Sequence, residues 1–176
     1  MLRRTAWVAL GLAVALWPAT SPAQEPLELK LKAAFLYNFA RLATWPSAKF
    51  SDPAAPLEAC ILDGDPLAHA LQQAFAGKVV DGHPLAVRRL PGTGGWEGCH
   101  LAYVGAPEQA REALRGLPEA GVLTVHEDGA ALPDGVIRLF LAERKLRFEV
   151  NQSAVERAHL RLNARLMALA TVVRAP

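Results

Sequence analysis

Between residues 57 and 150 the apolar residues come in short runs, each closed by glycine, proline or acidic residues. Runs of this length suit strands and are too short for most helices. Residues 57–62 and 99–104 are almost continuously apolar, as expected of strands buried on both faces. Asp63-Gly64-Asp65-Pro66 follows the first run, and a proline fits the first turn of a helix. Helical spacing then continues over 67–75. Residues 79–90 predict a hairpin turning at Asp81-Gly82. A glycine-rich loop over 91–98, a short helix over 107–114 and a strand over 121–125 come next. Residues 136–141 and 145–150 alternate well enough for a second hairpin, across Glu143-Arg144.

Helical periods bracket this series. In residues 24–43, Leu31, Phe35, Asn38, Phe39 and Leu42 recur at helical spacing beside a stripe of Leu29, Ala33, Leu36 and Ala40. Glu28 and Lys32 can pair one turn apart. Trp45-Pro46 should end the helix, because the residue before a proline resists helical dihedrals. At the other end Val155, Ala158, Leu162, Leu166, Leu169 and Val173 predict one helix of about five turns. Ser153 and Glu156 form a capping-box pattern at its start. Arg157, Arg161 and Arg165 would form a basic stripe along it. A mixed sheet flanked by helices, with N- and C-terminal helices packed on it, is the expected architecture: a single-domain α/β sandwich.

Residues 1–23 read as an export signal. Arg3 and Arg4 precede an apolar run, and Ser21-Pro22-Ala23 supplies small residues for cleavage. The run is shorter than the roughly 20 residues a spanning helix needs, so the mature domain, 24–176, is expected to lie free in the periplasm and not to span the membrane. Removing Arg3 and Arg4 from 19 Lys+Arg leaves 17 basic residues against 17 acidic ones. A nucleic-acid binder needs a basic excess that this chain lacks. Hydrophobic residues at 52% against 20% charged exclude a disordered polyelectrolyte. Cys60 and Cys99 would meet an oxidising compartment, where such a pair is normally a disulfide; two buried thiols are the alternative.

Catalytic patterns mostly fail. The loop of Gly92, Gly94, Gly95 and Gly98 has Glu97 where a dinucleotide fingerprint is broken, and no Lys-Ser/Thr follows it. No GxSxG is present, and His69, His83, His100, His126 and His159 show no metal-ligand spacing. His100 reads as a packed histidine. Asp63 and Asp65 resemble the start of a calcium loop whose later ligands are missing, so they read as a strand-to-helix turn. Asn151-Gln152-Ser153 fits a glycosylation sequon, but its place between strand and helix favours capping. The residues alone describe an exported domain with no catalytic set, metal or cofactor.

Three segments carry a family resemblance: 31–40 leading into Trp45-Pro46, Cys99-His100 opening a strand, and Arg147-Phe148-Glu149-Val150-Asn151 followed by Ala158, Leu160 and 166–170. Together they resemble the YfiR family of periplasmic regulators, over about Leu29 to Ala170. The resemblance implies an α/β sandwich, often dimeric, that is not an enzyme. It implies binding to the periplasmic sensory domain of a membrane diguanylate cyclase, which is held inactive, so that cyclic di-GMP signalling is repressed. An outer-membrane lipoprotein with a peptidoglycan-binding domain can relieve such repression. Relatives beside sensor kinases, and proposed small ligands, imply the alternative of a kinase accessory or small-molecule sensor.

The resemblance places Cys60 and Cys99 at an inter-strand disulfide, while a second bridge found in some members has no cysteines here. His159 stands where a glycine is common, and Asn163-Ala164 where small hydroxyl residues are common. Tyr and Arg are enriched at interface hot spots. Tyr37, Arg41, Phe148, Glu149, Arg161 and Arg165 are therefore the candidate partner or ligand surface, with core packing the competing role for Phe148.

Overall fold

The computed structural model describes residues 24–92, 94–105, 121–127 and 135–174. The expected export signal over 1–23 and the expected helix over 107–114 lie outside the described residues.

Helix α1 (Gln24–Leu42) opens the domain, and β1 (Ala43–Thr44) and a 3-10 turn (Ser47–Lys49) follow. Then come β2 (Leu57–Leu62), α2 (Leu67–Phe75), β3 (Val79–Val80), β4 (His83–Leu90), β5 (Leu101–Val104), β6 (Leu123–Glu127), β7 (Ile137–Ala142) and β8 (Lys145–Asn151). The chain closes with α3 (Gln152–Arg157), β9 (Arg161–Leu162), α4 (Ala164–Leu169) and β10 (Val172–Arg174). An eight-stranded mixed sheet runs in the order β10-β8-β7-β6-β5-β2-β4-β3, and β1 pairs β9 in a separate ribbon. Strands β4, β2, β5, β6 and β7 are mutually parallel neighbours; β8 returns antiparallel to β7. The α/β architecture, with helices packed around one sheet, is the expected one.

Strand alternation decides which side each residue serves. Ala59 and Ile61 of β2 join the main core with Leu36 and Phe39 of α1, Leu71 and Phe75 of α2, and Phe148 and Val150 of β8. Cys60 and Leu62 point the other way, into a second core with Trp96, Cys99, Ala102 and Val104. Because both faces of β2 and β5 are covered, their sequences read as continuous apolar runs. The Cys60 and Cys99 sulfurs are bonded, with Cα atoms 5.8 Å apart, so the disulfide alternative holds. Trp96 is wholly buried beside it and anchors the glycine-rich loop.

Both hairpins form where expected. Asp81 and Gly82 take positive φ at the first turn, and Glu143 and Arg144 do so at the second. The two central residues of a type I′ turn need this conformation, which glycine and asparagine supply more cheaply than Glu-Arg.

The final segment corrects the sequence reading. The expected five-turn helix is instead two short helices, a bridge and an edge strand. Helix α3 stops because His159 adopts φ +54°. The His159 amide donates to the Glu156 carbonyl (3.0 Å) and the Leu160 amide to the Val155 carbonyl (3.1 Å), a Schellman ending. Pairing of Ala43 with Leu162 and Thr44 with Arg161 then draws the chain across as β9. Asn163 restarts a helix, its side chain accepting from the Arg165 amide at 2.9 Å. Arg157, Arg161 and Arg165 thus fall on three elements and form no stripe. Leu169 and Val173, expected in the core, are exposed. Asn151, not a Ser153–Glu156 box, caps α3, accepting from the Ala154 amide at 3.2 Å.

A residue with a Cβ costs about 1–2 kcal/mol in the left-handed region. The His159→Gly variant should therefore be more stable, by about 1 kcal/mol after allowance for the freer unfolded chain. The urea midpoint measures this; an unchanged or lower midpoint would show that the His159 side chain contributes contacts that offset the strain.

Candidate functional site

An apolar groove of about 510 Å³ lies between α1 and α4. Helical spacing places Leu31, Phe35 and Asn38 along one wall, and Leu166 and Leu169 come from the other. Phe39 and Phe148 form the floor, with ring centroids 5.1 Å apart; Phe35 completes an edge-to-face cluster at 5.9 and 6.0 Å from them. Buried rings in this geometry give the groove a rigid base. Its rim is unusual for a monomer surface: Leu31 is 45% and Leu169 69% exposed. Adjoining apolar residues left in water commonly mark binding sites.

Two arginines border the apolar lining. Arg41 donates to the Asn38 side chain at 3.2 Å, and its guanidinium lies 5.9 Å from the Tyr37 ring centroid. The Arg165 side chain is exposed and engages no partner among the described residues. The groove can therefore receive an apolar segment carrying an acidic group, and nothing in it constitutes a nucleophile–base pair.

The structure brings Arg41, Arg165 and Phe148 together, with Phe148 as buried floor and not as exposed contact. It does not unite the other three candidates with them. Tyr37 turns toward α2, packing edge-on against Phe75 at 6.4 Å and receiving the Lys78 ammonium 5.9 Å from its ring centroid. Arg161 sits on β9, exposed, beside Thr44. Glu149 alternates to the opposite sheet face from Phe148, where Arg138 donates to it at 2.7 and 3.1 Å. Sequence reasoning missed the apolar walls because it assigned Leu166 and Leu169 to one buried stripe.

His100 is buried as expected of a packed histidine. Its Nδ1 accepts from the Glu58 amide at 3.1 Å, its carbonyl accepts from Trp45 Nε1 at 2.9 Å, and Phe50 stacks on it at 4.4 Å. Burial, with help from the charges of Lys49 and His83, pushes its pKa down to about 4. It is neutral at neutral pH and shapes the start of β5.

The sequence pattern of the YfiR/HmsC-like family matches residues 29–171. The chain belongs to this family. As a YfiR/HmsC-like chain it carries the Cys60–Cys99 bridge, and no described helix is long and apolar enough to cross a membrane. The fold is similar to the crystal structure of a conserved domain protein from Vibrio cholerae O1 biovar El Tor, with a TM-score of 0.55 and 9% identity. That match covers 83% of this chain and 60% of the other, so this chain spans well under the full length of its structural neighbour. At such identity the likeness concerns the fold alone. No curated protein matches the sequence.

Proposed function

We propose that this protein is exported through residues 1–23 and acts in the periplasm as a repressor of a membrane diguanylate cyclase, binding that enzyme's periplasmic sensory domain. The observation that carries the reading is the α1–α4 groove, with Leu31 and Leu169 exposed on its walls and Arg41 and Arg165 beside them. Repression requires tighter binding to the inactive state of the partner than to the active one, and the shift cannot exceed that difference. Aromatic floor, aliphatic walls and flanking arginines are the composition of an interface hot spot. An outer-membrane peptidoglycan-binding lipoprotein competing for the same protein would release the cyclase. A homodimer and a sensor-kinase partner are compatible variants of this reading.

Deleting the gene should raise intracellular cyclic di-GMP, and wild-type protein supplied in trans should restore it. A Leu31→Asp, Leu169→Asp variant should still fold, with only a small loss of melting temperature since Leu169 is largely and Leu31 partly exposed, yet fail to restore repression. Full restoration by this variant would remove the groove from the proposal, and no rise on deletion would remove the cyclase.

A further inference from the structure

A second cavity, away from the groove, occupies the place where the sheet's connectivity changes direction. From β2 the chain passes through α2 to β4 on one side, then returns to β5 on the other side of β2. In strand order β2 thus leads to β4 on one side and β5 to β6 on the other, and open parallel sheets bind ligands at the carboxyl ends of strands where the order reverses. Here the crevice measures about 400 Å³, within the range of small-molecule sites.

Asp65 follows β2, Gly105 follows β5, Glu127 ends β6, and Lys32 of α1 faces them. Tyr103, almost wholly buried, donates its hydroxyl to Glu127 Oε1. Lys32 Nζ lies 2.7 Å from that same Oε1 and 2.8 Å from Glu28 Oε1. Asp65 Oδ1 accepts from the Leu67 amide at 2.9 Å. The hydrogen bonds to Asp65 and the Tyr103 bond to Glu127 use Oδ1 and Oε1, so Asp65 Oδ2 and Glu127 Oε2 accept none of these. Glycine at 105 leaves room beside Asp65 Oδ2 and the Tyr103 hydroxyl. A Cβ there would stand 2.8 Å from both Asp65 Oδ2 and the Tyr103 hydroxyl oxygen.

The electrostatics are unbalanced. The one ammonium, Lys32, is already shared between Glu28 and Glu127, while Asp63 and Asp65 add two further carboxylates to the lining. Burial, and then the charge of Glu127, holds the Asp65 carboxyl above its usual range, against the opposing pull of the Leu67 amide and the Lys32 ammonium. The remaining wall is apolar: Leu29, Leu62, Pro66 and Leu67. No group of three or more acidic, histidine or cysteine side chains among the described residues is arranged to hold a metal ion. A cavity with carboxylate oxygens at one side and aliphatic carbon at the other matches an amphipathic organic cation.

We propose that this crevice binds a small organic ammonium ion, its head between Asp65 Oδ2 and Glu127 Oε2 and its apolar body against Leu29, Leu62 and Leu67. The site is separate from the groove, and its occupancy does not depend on the partner reading above.

Calorimetric titration of the purified mature protein with phenethylammonium tests it, with phenylacetate as the charge-inverted control and magnesium and calcium as metal controls. Saturable one-to-one binding of the ammonium, and none of the carboxylate, is expected. Asp65→Asn keeps an acceptor for the Leu67 amide but loses the charge, and should weaken binding about tenfold or more. Glu127→Gln serves as the second variant should Asp65→Asn not fold. Undiminished binding in a folded variant would overturn the proposal. So would equal binding of phenylacetate, binding of the divalent ions in place of the ammonium, or no heat with phenethylammonium.

Discussion

Replacing Cys60 and Cys99 together by alanine should lower the unfolding free energy by about 4 kcal/mol. The two residues are separated by 39 positions, and a cross-link of that span removes much of the freedom of the unfolded chain. Both are wholly buried and pack with Trp96, Ala102 and Val104, so the alanine pair also loses some sulfur packing in the second core. The bridge ties the end of the glycine-rich loop to the centre of β2, next to β5. Urea unfolding under oxidising conditions measures the loss, and wild-type protein with a reductant should approach the alanine variant. A midpoint unchanged in both experiments would show that the covalent link contributes nothing to stability. In cells the same variant should release repression through loss of folded protein, with no change in the groove.

Lowering the pH from 6.5 to about 4 should destabilise the protein by about 3 kcal/mol through His100 alone. In the unfolded chain the imidazole takes up its proton near pH 6.5. In the folded protein it resists until about pH 4, because burial first, and then Lys49 and His83, oppose the charge. The unfolded state thus binds more protons across this window, and stability falls as acid is added. His83 stacks on Phe50, which stacks on His100, so both imidazoles share one aromatic column. His100→Asn keeps a side-chain acceptor for the Glu58 amide while removing the titration. Stability curves for the two proteins should converge as the pH falls through this window. Parallel curves would assign the acid sensitivity to other groups.

Much of the sheet was legible because its signals are local. The apolar run of β2, the proline start of α2, and the hairpins over Asp81-Gly82 and Glu143-Arg144 depend on neighbours a few residues apart. The family resemblance, spread over segments from residue 31 to residue 170, was legible for a similar reason: its residues are recognisable without knowing what they touch. Asn151 was legible as a cap because it stands between an alternating strand and a helical stretch.

The end of the chain was not legible. Val155, Ala158, Leu162, Leu166, Leu169 and Val173 fit a helical period, and period alone cannot reveal that His159 turns left-handed or that Asn163 starts a new helix. Residues 172–174 became a strand because β8 offered an edge: Val172 pairs with Glu149 and Val173 with Val150. That pairing leaves Leu169 exposed on the α4 wall, and so creates the groove. The crevice likewise depends on strand order. Lys32, Asp65, Tyr103 and Glu127 are distant in sequence and meet only because β2, β5 and β6 lie side by side with α1 packed on the sheet they form. Patterns spanning one or two turns of chain were enough to read the α/β class, the turns and the family. Which polar and apolar groups face one another was decided by tertiary pairing, because side-chain proximity across a sheet is set by register and strand order, and neither is written in any local period.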